Sequence, residues 1–119
     1  MVGNWYSSET AKQGNTRQRL MQRFIDGSYK LTTKLKIKDK EISHNIEIGF
    51  WGISGPVYFS IFKGWVKHDK LAPSDTSNPD NYQAYKILEL TDDQFKYQSF
   101  TTSSIVTLSR VSDDFIMPN

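Results

Sequence analysis

Cysteine is absent from the chain, which excludes disulfides, thiol nucleophiles and zinc sites built on thiolates. Only two histidines occur, His44 and His68, so a three-histidine metal centre is impossible, and their spacing is not that of ligands. No apolar run approaches the roughly 18 residues of a membrane-spanning helix. Helical periodicity is missing throughout, and no repeat of roughly 20–50 residues is present. No Gly-x-Ser-x-Gly nucleophile elbow occurs. Gly49, Gly52 and Gly55 precede neither a Lys-Ser/Thr pair nor a helix, so there is no phosphate cradle. Neither sign of charge dominates. Fifteen basic residues against 13 acidic ones leave +2, too little to mark a nucleic-acid binder.

What remains is a chain of 119 residues with 37% hydrophobic and 13% aromatic side chains. That is the size of one domain, 1–119, with enough apolar material for a core. Met1 is followed almost at once by strand-like sequence with no leader pattern. The expectation is a cytoplasmic protein, or an exported one whose leader has been removed. No Asn-x-Ser/Thr acceptor distinguishes the two.

Period two runs through most of the chain. From Ser28 to Lys38, Tyr29, Leu31, Thr33, Leu35 and Ile37 alternate with Lys30, Thr32, Lys34, Lys36 and Lys38, the signature of a half-buried strand. Asp26-Gly27 precedes it, a strong two-residue hairpin signal. A turn there pairs Phe24 with Tyr29, Gln22 with Leu31 and Leu20 with Thr33 on the apolar face. It sets Arg17, Arg19 and Arg23 opposite Lys36, Lys34 and Lys30 on the solvent face. A second two-residue turn at Asp39-Lys40 pairs Leu35 with His44, Thr33 with Ile46, Leu31 with Ile48 and Tyr29 with Phe50, all inside. Lys34 and Asn45 then face out. The pattern predicts a three-stranded meander from Thr16 to Trp51.

Gly52 to Pro56 reads as a turn, and Val57 to Lys67 as an aromatic-rich strand with Gly64 as a bulge site. His68 to Asp80 is a polar loop. Further strands are expected at Gly3 to Ser7, Tyr82 to Leu90, Gln94 to Thr101 and Ile105 to Val111. The tail after Ser112 docks through Phe115, Ile116 and Met117. Eight sequential antiparallel strands predict an all-β, up-and-down barrel, which removes exposed edges.

The two ends of the chain carry a more specific pattern. Gly3-Asn4-Trp5 opens the first strand and Arg110 lies near the end of the last. This resembles the lipocalins and the wider calycin group. The resemblance implies that Trp5 closes one end of the barrel, with the Arg110 guanidinium lying across the indole. Thr91-Asp92-Asp93 lacks the tyrosine of the family's second motif, and the helix that usually follows the barrel is not evident.

Chemistry is sparse. His44 is expected to be a hydrogen-bonded interior histidine, and His68-Asp69 a solvated loop pair. Asp92-Asp93 and Asp113-Asp114 fall in a turn and a tail, where adjacent acids are solvated. No catalytic constellation stands out, and no cofactor or metal is required. Trp5, Tyr29, Phe50, Phe59, Trp65, Tyr85, Phe95 and Tyr97 supply an aromatic interior. An eight-stranded barrel is just wide enough to be filled or to hold one small ligand. Tyr29, His44, Phe50, Tyr85 and Tyr97 are the expected cavity lining, with Gln22 as a further inward polar group. The expected function is non-enzymatic binding of a small apolar or amphipathic molecule. The alternative is a protein-interaction module with a filled barrel. It would use the 68–80 loop or the basic face of Arg17, Arg19, Arg23, Lys30, Lys34 and Lys36. A solvated, edge-protecting role is the plainer reading of that face.

Overall fold

Long alternating segments joined by tight turns leave the backbone few options besides antiparallel pairing. The computed structural model, which describes residues 1–11, 14–38, 40–67, 69–75 and 77–118, shows that outcome. Nine strands follow in chain order: β1 (Gly3–Thr10), β2 (Asn15–Arg23), β3 (Ser28–Ile37), β4 (Lys40–Ser54), β5 (Val57–Lys67), β6 (Lys70–Pro73), β7 (Tyr82–Leu90), β8 (Gln94–Ser99) and β9 (Ile105–Val111). A 3₁₀ turn at Pro79–Asn81 is the one helical element among the described residues. Each strand from β1 to β6 pairs antiparallel with the next, and so do β7 with β8 and β8 with β9. The short β6 adds to the far half of β5, while β7 pairs with its near half. β1 pairs with β9 at Asn4–Val111, Trp5–Arg110 and Tyr6–Ser109. That seam closes an all-β, eight-stranded, antiparallel barrel with β6 as an appendage. No helix among the described residues is long and apolar enough to cross a membrane.

The β2–β3 register differs from the expected one by a single residue, with large consequences. Phe24 N–H donates to the Ser28 carbonyl and Gly27 N–H to the Phe24 carbonyl, so the loop is Ile25-Asp26-Gly27, three residues and not two. Gly27 has φ of +89°, the left-handed residue that such a loop requires. Asp26 locks it by accepting from the Ser28 amide at 2.9 Å. The extra residue turns β2 over. Arg23 now pairs with Tyr29, Met21 with Leu31, Arg19 with Thr33 and Arg17 with Leu35. Arg17, Arg19 and Arg23 therefore face the interior, while Gln18, Leu20 and Gln22 face out.

The β3–β4 connection repeats the correction. Ile37 pairs with Lys40 and Lys36 with Glu41, then the register shifts, and Leu35 pairs with Ser43, Lys34 with His44, Thr33 with Asn45 and Leu31 with Glu47. Ile42 is the extra residue. Ser43, Asn45 and Glu47 point inward, and His44, Ile46, Ile48 and Phe50 outward. Asp39, half of the expected turn, lies outside the described residues, as does His68. A bulge at Lys63, beside Gly64, lets both Phe62 and Trp65 face the interior, because Ile48 pairs with Gly64 and Gly49 with Phe62.

One end of the barrel is solid. Trp5, Phe95, Tyr58, Leu108 and Arg23 are each no more than 2% exposed there. The tail after β9 crosses the outside of the adjoining wall, from β1 to β3. Asn4 holds the Ser112 and Asp113 carbonyls at 3.4 Å, the Phe115 ring lies 4.9 Å from Tyr6, and Lys36 reaches the Pro118 carbonyl at 3.4 Å. Beneath this path the outward Leu20 and Gln18 are buried, and Met117 is buried with them. Ile116, expected to dock, is 86% exposed.

Candidate ligand-binding cavity

The motif at the chain ends forms a contact. The Arg110 Cζ atom lies 4.3 Å from the centroid of the Trp5 ring. Arg110 Nη1 donates to the Val2 carbonyl at 3.0 Å, and its Nε donates to the Asp92 carbonyl. Trp5 Nε1 donates to the Met1 carbonyl at 2.9 Å. Gly3 belongs to the same arrangement. Its φ is +126°, and a Cβ there would collide with the Arg110 guanidinium. The glycine of Gly-x-Trp is thus the space in which the arginine lies.

Arg23 sits inside this closed end. Its Nη2 donates to the Tyr58 hydroxyl at 2.9 Å, and its Cζ stacks 4.8 Å from the Tyr58 ring and 5.3 Å from Phe95. Nε and Nη1 have no partner. Tyr58 separates it from the space above. Tyr58, Tyr85 and Tyr97 form a ring cluster with centroids 4.9–5.4 Å apart, and Phe95 lies 4.8 Å from Tyr97.

Above this base the interior is hollow. A cavity of about 710 Å³ runs to the end away from Trp5. Its walls are Met21, Tyr29, Leu31, Tyr58, Tyr85 and Tyr97 in the lower part. Arg17, Arg19, Thr33, Asn45 and Ser60 follow above them, with Asp80, Thr101 and Ser104 among the rim residues. The volume falls within the range of small-molecule pockets, roughly 300–1,000 Å³. The filled barrel on which the interaction reading depends is not the observed one.

The lining is more polar than the apolar alternation implies. Glu47 accepts from the Tyr29 hydroxyl at 2.8 Å. Burial pushes the Glu47 carboxyl above its ordinary value, against the opposing pull of that hydrogen bond and of Arg19. Burial, reinforced by Glu47, holds the Tyr29 hydroxyl far above the usual phenol range. Burial raises Tyr97 and Tyr85 as well. All three phenols are therefore neutral donors at physiological pH.

Of the expected lining, Tyr29, Tyr85 and Tyr97 face the cavity. His44 does not. It is exposed on the outer wall, with Nδ1 4.0 Å from Glu41. Phe50 also lies outside, 47% exposed, with Lys63 Nζ 5.5 Å from its ring centroid. Phe59 and Gln22 are on the outer face for the same reason of register. The basic face is divided: Lys30, Lys34 and Lys36 remain outside, whereas the three arginines are within. Tyr58, Phe62, Arg17, Arg19, Met21, Asn45 and Glu47 are among the lining residues that the apolar alternation missed. The signal was in Asp26-Gly27, which serves a three-residue loop as readily as a two-residue one. Among the described residues no group of three or more His, Cys, Asp or Glu side chains comes together as a metal site would require.

No protein-family model matches the chain, and no curated protein matches it.

Proposed function

We propose that this protein binds a small amphipathic organic molecule, without chemical conversion, in the interior of a lipocalin-like barrel. The observation that carries the reading is the cavity of about 710 Å³, closed by Trp5 and its neighbours and open at the other end. A barrel with no ligand to hold would gain stability by filling this space, at about 25 cal/mol for each Å² of apolar surface removed from water. The chain instead surrounds it with tyrosines whose hydroxyls stay neutral and with a few polar groups that orient a ligand. The Gly3, Trp5 and Arg110 arrangement supports kinship with lipocalin-type barrels, although the tail covering the outer wall is not helical among the described residues.

Native mass spectrometry of the purified protein tests the reading. The expected result is a mass above that of the chain, lost on denaturation. A bare chain that also fails to take up any of a panel of amphipathic molecules offered to it overturns the proposal.

A further inference from the structure

Three arginines of β2 face inward, and the barrel does not neutralise them. Arg17 and Arg19 lie two residues apart on one strand, so both project from the same wall into the cavity. Among the described residues neither guanidinium makes a hydrogen bond or has a carboxylate oxygen within 4.0 Å, and Arg19 acts on Glu47 only through space. The single ion pair found there is the outer His44–Glu41 contact. Arg23, deeper still, has one hydrogen bond and two unpartnered nitrogens. The nearest carboxylate, Glu47 of β4, two strands along, is already engaged by Tyr29, and burial drives it toward its neutral form. Asp80 stands only at the rim. Each guanidinium presents five donors and accepts nothing. Leaving several of them in a partly enclosed space without an anion is costly, and the cost falls when a ligand supplies the missing charge.

We propose that the ligand is an organic anion, its acid group held between Arg17 and Arg19 and its apolar body lying on Tyr29, Tyr58, Tyr85 and Tyr97. This rests on the small-molecule reading and adds the ligand's charge and orientation. Carboxylate, sulfonate and phosphate share the chemistry, since each offers paired oxygens to a guanidinium fork. Thr33, paired with Arg19 across the β2–β3 ladder, adds a hydroxyl at that level, Ser60 adds one beside Tyr85, and the base below is mainly aromatic and aliphatic. The acid therefore sits toward the mouth and the apolar part toward the Trp5 end.

Two fluorescent probes with one ring body separate charge from shape: 8-anilinonaphthalene-1-sulfonate, and its uncharged parent N-phenyl-1-naphthylamine. Both are titrated into the full chain, into an Arg17→Gln, Arg19→Gln double variant and into a Lys30→Gln, Lys34→Gln outer-face control. Charge-assisted hydrogen bonds to two arginines should make the wild type prefer the sulfonate by about ten- to hundred-fold. The inner double variant should lose that preference and keep its affinity for the neutral probe, and the outer control should change neither. The preference should also weaken with added salt. Equal binding of both probes by the wild type overturns the anion proposal and leaves the cavity reading standing. A preference removed by the outer control and not by the inner variant overturns it too. Binding of neither probe overturns both readings. Should the double variant fail to fold, Arg17→Lys with Arg19→Lys keeps the charge and loses the fork. A partial loss of preference is then expected, and an undiminished one counts against the proposal.

Discussion

Removing the Trp5 indole tests the closure of the barrel most directly. Trp5 is fully buried, packs edge-on against Phe95 with centroids 6.1 Å apart, donates to the Met1 carbonyl and carries the Arg110 guanidinium on its face. Trp5→Ala should cost about 3–5 kcal/mol through lost burial and the space left behind. A domain of 119 residues has roughly 6–18 kcal/mol in total, at roughly 0.05–0.15 kcal/mol per residue, so the loss is a large share. The specific contact is isolated by a double-mutant cycle with Trp5→Leu and Arg110→Met, read by equilibrium urea unfolding. Arg110 is partly exposed, which holds the expected coupling to about 0.5–1 kcal/mol and not the higher values of desolvated pairs. Arg110→Lys should recover only part of it, because an ammonium cannot stack flat while reaching both the Asp92 and Val2 carbonyls. Gly3→Ala provides an independent check, since its Cβ enters the space of the guanidinium. Additive losses in the cycle, together with a harmless Gly3→Ala, would refute the claim that these three residues act as one closure.

Two further outcomes follow from the same geometry. Burial raises the Glu47 proton affinity in the folded chain above its unfolded value, so the stability it contributes is present below roughly pH 4.3 and is lost as pH rises through its raised folded value; Glu47→Gln should melt higher than wild type near neutral pH, with the gap closing in acid, and a gap that widens in acid would contradict this. Met117→Ala should cost about 2 kcal/mol or more, because Met117 of the tail is 7% exposed, whereas Ile116→Ala at 86% exposure should stay within about 0.5 kcal/mol; equal effects in thermal unfolding would remove the case for a docked tail.

The fold class was legible because the strand signal is strong where it matters. β3 alternates cleanly, and Tyr29, Leu31, Thr33 and Leu35 do face inward. The eight barrel strands, the bulge beside Gly64 and the partly docked tail could be read from residue types and spacing, and the closing Trp5–Arg110 pair from the lipocalin resemblance; β6, within the stretch expected as a polar loop, could not. The faces of β2 and β4 could not. In β2, the run Thr-Arg-Gln-Arg-Leu-Met-Gln-Arg has an apolar residue on each face, Leu20 and Met21 being adjacent, so alternation does not choose between them. Turn length chooses, and Phe-Ile-Asp-Gly-Ser admits loops of two or three residues. In β4 the bulge at Ile42 leaves no mark that composition alone reveals.

The deeper reason concerns what an inside is. Assigning the apolar set Ile42, Ile46, Ile48 and Phe50 to the interior assumes a barrel filled by its own side chains. A barrel that keeps about 710 Å³ open has an inner wall that meets water or a ligand, and an outer wall only partly solvated. Under those conditions Ser43, Asn45 and Glu47 belong inside, and Ile42, Ile46, Ile48 and Phe50 line an outer wall, where Lys63 lies over the Phe50 ring. The inverted pattern in β2 and β4 is thus evidence for the hollow interior. A solid barrel of this sequence would have to bury Arg17, Arg19 and Glu47 against one another, yet no ion pair joins them. The same side chains that made the register hard to read are the ones that give the cavity its charge.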